Sequence, residues 1–61
     1  MKTRVVVYEL QLEGSEKLKD GVKEFLDEQR NEGAVQVIIN RIESFGKKQF
    51  VIEAEVSFFS N

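Results

Sequence analysis

The side chains that could do chemistry in this chain are carboxylates and lysines. Histidine and cysteine are absent from all 61 residues, so one chain cannot build a Ser-His-Asp or Cys-His nucleophile system, a disulfide or a zinc–thiolate site. Glu53 and Glu55 stand two residues apart, but on a strand both would lie on one exposed face beside Arg41, which is typical of a solvated, salt-bridged surface. We therefore predict no enzymatic activity, no catalytic residue, no metal site and no bound cofactor.

Two short segments invite comparison with anion and nucleic-acid sites. The loop Glu13–Glu16 precedes a predicted helix, where free backbone N–H groups can bind an anion, but its glutamates favour helix capping instead. Lys47 and Lys48, flanked by Phe45 and Phe50, could form a small basic and aromatic contact. Two lysines are few, and a net charge of −2 opposes neutralisation of a phosphate backbone. We predict no nucleic-acid partner.

Hydrophobic periodicity predicts the elements in the first half of the chain. Apolar and polar residues alternate from Thr3 to Glu13, which indicates a strand whose even-numbered side is apolar. Ser15 is the expected N-cap of a helix that ends near Gly33, the expected C′ residue. Gly21 lies on the apolar stripe of this helix, so we expect the helix backbone to approach the sheet closely there. The other residues of the stripe are Leu18, Val22, Phe25 and Leu26.

The second half of the chain predicts a hairpin. One strand runs from Val35 to Ser44 and the next from Gln49 to Phe59, with the three-residue turn Gly46–Lys48 between them. A two-residue turn would place charged residues opposite apolar ones, so we expect Phe45 to lie opposite Gln49. The remaining expected pairs are Ile42 with Ile52, Arg41 with Glu53, Asn40 with Ala54, and Ile38 with Val56.

Together these elements predict an α+β fold of order β-α-β-β. If the helix is a right-handed crossover between parallel first and second strands, the third strand lies antiparallel between them, giving a three-stranded sheet of order 1-3-2 with one helix on one face. Residues 1–61 should form a single domain. The apolar runs Val5–Val7 and Val37–Ile39 are far shorter than a membrane span, and no signal-peptide pattern opens the chain. We expect a cytoplasmic protein with no membrane partner.

One helix covers only one face of such a sheet, so the other face should need a partner. Contiguous exposed apolar residues usually mark an interface, and closed homodimers are the commonest soluble oligomers. We predict self-association through the face away from the helix, with a ligand or a foreign protein as the alternative occupant. The predicted interface residues are Val5, Val7, Val35, Val37, Ile39, Val51 and Phe59.

The element order and several spacings resemble dodecins, which are small strand-helix-strand-strand proteins that assemble into hollow flavin-binding dodecamers. The segment Phe50–Phe58 resembles the aromatic-flanked last strand of that family, and Glu9–Leu10 with Asp20–Val22 is similar in spacing to its first strand and helix. The resemblance implies an oligomeric flavin-type carrier. However, the family's flavin-stacking tryptophan corresponds to Ala34–Val35 and its flavin-binding glutamine to Val51, so no flavin-site residue is carried over.

The chain length and the segment Val22–Leu26 also resemble tiny accessory proteins of Bacillus and its phages. Our leading expectation is a non-enzymatic protein-binding module that acts as a homodimer or higher oligomer. It would be a phage or bacterial accessory protein that inhibits a host or anti-phage defence factor. The alternatives are a dodecin-like small-molecule carrier and a de novo designed protein.

Overall fold

The chain folds into three strands and one helix. The computed structural model describes residues 1–59, and its elements are β1 (Lys2–Gln11), α1 (Leu18–Asn31), β2 (Ala34–Ser44) and β3 (Gln49–Phe58). β3 lies between β1 and β2 and is antiparallel to both, so the sheet order is β1-β3-β2. β1 and β2 therefore run parallel to each other, with α1 connecting them. This is the α+β fold that the sequence predicts.

The start of α1 differs from the prediction. Ser15 is not the N-cap: Lys17 holds that position, and its backbone N–H donates a hydrogen bond of 3.0 Å to the Asp20 carboxylate. Ser15 lies instead in a preceding turn, in which the Glu13 N–H donates to the Glu16 carboxylate at 3.0 Å. The Glu16 carboxylate thus accepts from a backbone N–H group within the turn, and the helix begins after the turn, at Leu18.

The end of α1 is as predicted. Gly33 follows the C-cap residue and has a φ of 100°, a left-handed conformation that favours glycine. Its N–H donates a hydrogen bond of 3.0 Å to the Arg30 carbonyl, which would otherwise lack a partner at the helix end. Gly33 therefore ends the helix and directs the chain into β2.

The core lies between α1 and the sheet. A Cβ atom added at Gly21 would come within 2.5 Å of Leu10 Cδ2, which confirms the predicted close approach of the helix to the sheet. The Tyr8 and Phe25 rings pack with their centroids 4.9 Å apart. Half-buried side chains on the same side, among them Val6 and Leu26, pack around this centre. The buried apolar residues are Leu10, Leu12, Phe25, Ile52, Ala54 and Val56.

The hairpin between β2 and β3 has the predicted turn. The Phe45 N–H donates a hydrogen bond of 2.8 Å to the Gln49 carbonyl across the three-residue loop. Ile42 lies opposite Ile52, and the next pair, Arg41 with Glu53, is also as predicted. The register argued from the sequence is therefore correct over the half of the hairpin nearest the turn.

Beyond Arg41 the predicted register is wrong because β2 contains a bulge. Asn40 has no partner in the ladder, so the pairings of Asn40 with Ala54 and of Ile38 with Val56 do not form. Ala54 is fully buried, and an amide side chain placed beside it would lose its water partners. The bulge keeps Asn40 exposed and brings Ile39 to the core instead. A second irregularity leaves Val35 unpaired. The observed pairs are Ile39 with Ala54, Ile38 with Glu55, and Val37 with Val56.

α1 covers only part of the sheet. Its 14 residues correspond to about 21 Å of helix, whereas strands of ten residues extend over about 33 Å. The molecule is accordingly elongated, with extents of 41 × 18 × 12 Å. Near the hairpin turn, Ile42 and Phe45 are exposed.

Candidate protein-interaction surface

The face of the sheet that α1 does not cover carries exposed apolar side chains. Val5 and Val7 of β1 are 62% and 64% exposed, and Ile38 of β2 is 49% exposed. Val51 of β3 lies on the same face, because it pairs with Glu9 of β1 and Glu43 of β2. Its side chain is half-buried. We call this surface the helix-free face. Its apolar residues are Val5, Val7, Ile38 and Val51.

Four of the seven predicted interface residues lie elsewhere. Val37 and Ile39 are on the side of the helix, half-buried against the core, because the bulge at Asn40 reverses the face that each side chain occupies. Val35 is the unpaired residue of the second irregularity and is 46% exposed. Phe59 follows the last residue of β3 and is 78% exposed. Val5, Val7 and Val51 lie on the helix-free face, as predicted.

Ile38 is the residue that the sequence prediction missed. Ile38 is in the same strand phase as two polar residues, Gln36 and Asn40, whereas the odd-numbered Val35, Val37 and Ile39 are all apolar. An uninterrupted strand in the predicted register would have placed both Gln36 and Asn40 on the core side together with Ile38. A polar residue at a core position is a reason to suspect a bulge.

The centre of the helix-free face is acidic. Glu53 lies between Val7 and Arg41, while Glu55 lies between Val5 and Ile38. Arg41 Nη2 is 2.7 Å from Glu43 Oε1, the one ion pair among residues 1–59. Four carboxylates and one guanidinium give the face a net charge of −3. The charged residues of the face are Glu9, Arg41, Glu43, Glu53 and Glu55.

This arrangement suits recognition of cationic and apolar groups. Two central carboxylates with apolar side chains beside them can accept hydrogen bonds from lysine or arginine while the valines pack against aliphatic surface. Within the described residues there is no cluster of three or more His, Cys, Asp or Glu placed to hold a metal ion. No buried side-chain nitrogen or oxygen of that part of the chain lacks a hydrogen-bond partner.

Two hydrogen bonds join the hairpin turn to the loop before α1. The Lys48 ammonium group donates to the Gly14 carbonyl, and the Leu12 N–H donates to the Lys48 carbonyl at 2.8 Å. Both segments that the sequence offered as weak anion or nucleic-acid contacts thus take part in one structural junction. The sequence could not indicate this junction, because its partners are more than 30 residues apart.

A second group of charges lies along β1, on the side of the helix. Burial of the ring raises the pKa of Tyr8 above its usual value of 10.0, and the nearby negative charges of Glu28 and Glu24 raise it further. At the other end of the strand, the Arg4 guanidinium lies 4.8 Å from the centre of the Phe58 ring. β1 therefore has a basic start and passes carboxylates of α1 near Tyr8.

Comparison of the chain with protein-family models, with curated proteins and with solved structures found no match. The resemblances to dodecins and to small phage proteins thus stay predictions. Within the described residues, no helix has the length and apolar character needed to cross a membrane.

Proposed function

We propose that this protein is a non-enzymatic protein-binding module whose binding surface is the helix-free face. The observation that carries the proposal is the combination of exposed Val5, Val7 and Ile38 with the central carboxylates of Glu53 and Glu55. Exposed apolar groups next to fixed charges are typical of interaction surfaces, because the apolar groups supply affinity and the charges supply specificity.

The partner that fits this face is a protein surface with aliphatic side chains and an excess of lysine or arginine. A second copy fits less well, because stacking two such faces would bring two net charges of −3 together and like charges opposed across an interface are costly. The self-association expected from the sequence therefore gains no support at this face. A module that covers a partner's basic surface blocks access to it, so inhibition by occlusion is the mode of action we propose.

The test is capture of partners from a bacterial lysate with matched variants. Glu53→Lys reverses a charge at the centre of the helix-free face, while Lys23→Glu alters an exposed residue of α1 on the opposite side. Wild type and Lys23→Glu should retain the same stoichiometric protein, and Glu53→Lys should lose it. Circular dichroism would verify that both variants fold.

The captured protein is then purified and titrated into the ¹⁵N-labelled module. Amide shifts should concentrate at Val5, Val7, Ile38 and Glu55. Capture that is equal for wild type and Glu53→Lys, or shifts confined to α1, would contradict the proposal. So would a yellow preparation with flavin absorbance and a native mass near twelve subunits, since this is the behaviour that the dodecin resemblance implies.

A further inference from the structure

The two outer edges of the sheet differ in regularity. β1 is paired with β3 without interruption from Lys2 opposite Phe58 to Gln11 opposite Gln49, so its outer edge presents a regular row of backbone N–H and C=O groups. β2, at the other edge, is interrupted at Val35 and at Asn40. Bulges are one of the features by which proteins protect an edge strand from pairing, and β1 has none.

The charges along β1 are suited to antiparallel pairing with an identical strand. Lys2 and Arg4 make its first residues basic, and further along the strand Tyr8 lies near the carboxylates of Glu24 and Glu28. Packing of Tyr8 on Phe25 places this part of α1 beside β1. Neither glutamate has an ion-pair partner among residues 1–59. A strand that runs in the opposite direction would bring its basic end to these carboxylates.

We propose that β1 pairs antiparallel with β1 of a second copy of this chain, about a two-fold axis at Val6. In this register Val5 lies opposite the partner's Val7, and Arg4 lies opposite the partner's Tyr8. Side chains that face each other across antiparallel strands are in contact distance. In this arrangement each Arg4 leaves the Phe58 ring, over which it lies in the single chain, and reaches the partner's Glu24 and Glu28. By symmetry the interaction occurs twice.

The paired sheet would have six strands and one continuous helix-free face. The two copies of Val5 and Val7 would form a single apolar cluster at its centre. A three-strand face covers about 480 Å², since strands are spaced by about 4.8 Å and are about 33 Å long. The joined face covers about 950 Å², so it offers a partner about twice the contact area of one chain's face. The proposal goes beyond the proposed function and does not depend on it.

A charge swap tests the register and the identity of the occupant together. Arg4→Glu places the new glutamate beside the partner's Glu28, and Glu28→Lys places the new lysine beside the partner's Arg4. Each variant alone should dimerise at least about tenfold more weakly than wild type, because two symmetric ion pairs become two repulsions. An equimolar mixture should recover the dimer, since each mutated copy then faces a complementary charge.

The measurement is sedimentation velocity over a concentration series, with native mass spectrometry to identify the mixed dimer. Lys47→Glu makes the same charge change at the exposed hairpin turn and should dimerise like wild type. Circular dichroism controls for folding, since Arg4→Glu also removes the contact with Phe58. A wild-type protein that stays monomeric throughout, variants that dimerise normally, or a mixture that forms no mixed dimer would each overturn the proposal.

The outcomes separate this proposal from the proposed function. A monomeric protein that still captures a partner through Glu53 would refute the pairing at β1 and leave the binding function intact. Charge-swap dimers that capture nothing would refute the binding function and leave the paired sheet intact.

Discussion

At Gly21 the helix approaches the sheet closely, with no room for a Cβ atom beside Leu10. The sequence indicated this, because a glycine on the apolar stripe of a helix costs stability unless a side chain would not fit. The N-cap was harder to predict. Ser15 has a side chain suited to capping, but it lies within the Glu13–Glu16 turn, so the helix begins later. The position of the Glu24 and Glu28 carboxylates near Tyr8 could not be predicted, because it depends on how α1 is rotated above β1.

Substitution of Gly21 by alanine should lower the free energy of unfolding by about 1 kcal/mol. Overpacking costs about 1–3 kcal/mol, and the gain in helix propensity returns about 1 kcal/mol. The new Cβ would meet Leu10, whose side chain is 7% exposed and has little room to move. Urea denaturation followed by circular dichroism measures the change.

The control is the same substitution in a Leu10→Ala background. Removal of the Leu10 methyl groups eliminates the clash, so Gly21→Ala should then be neutral or stabilising. An equal effect in both backgrounds would show that the Gly21–Leu10 contact does not determine the result.

At the scale of elements, the strand and helix order, the hairpin turn and the register near it followed from the sequence. The turn predicted the pairing up to Arg41, because a loop length and alternation together determine which residues face each other. The bulge at Asn40 then exchanged the two faces of β2. The odd-numbered residues from Val35 to Ile39 are all apolar, whereas Gln36 and Asn40 are polar, so the pattern of this segment conflicted with the register extended from the turn. The predicted face of the sheet was therefore correct for Val5 and Val7 of β1 and wrong for Val37 and Ile39 of β2.

Alanine substitutions at two adjacent residues of β2 test the bulge. Ile39→Ala should lower the free energy of unfolding by about 2 kcal/mol, the lower end of the range for buried aliphatic residues, since Ile39 is half-buried against the core. Ile38→Ala should change it by no more than about 0.5 kcal/mol, as is usual for surface substitutions. Chemical denaturation of both variants gives the comparison. The opposite order of effects would support the uninterrupted register.

At the scale of the whole molecule, 61 residues without cysteine or histidine must depend on a small core. Domains of this size bury only about 60% of the surface exposed by the unfolded chain. A sheet with one uncovered face leaves the monomer with modest stability. Association of two copies would add to it, because a partner that binds only the folded state stabilises that state.

The apparent Tm should therefore depend on protein concentration. Each tenfold increase adds about 1.4 kcal/mol per dimer, or about 0.7 kcal/mol per chain, which corresponds to a rise of about 3–5 °C for a domain of this size. Differential scanning calorimetry over two decades of concentration would measure the rise. Arg4→Glu serves as the comparison and should show a smaller rise over the same range because it dimerises more weakly, while a constant Tm in the wild type would argue against association.

The two irregularities of β2 have a consequence for the size of the assembly. If both edges of the sheet were regular, each added copy would expose a new edge, and growth would continue into a filament. The unpaired residues Val35 and Asn40 interrupt the backbone row at the β2 edge. Association at the β1 edge alone is closed after one step, because the joined sheet then has a bulged strand at both ends. This geometry predicts a particle of finite size that remains dispersed at high concentration.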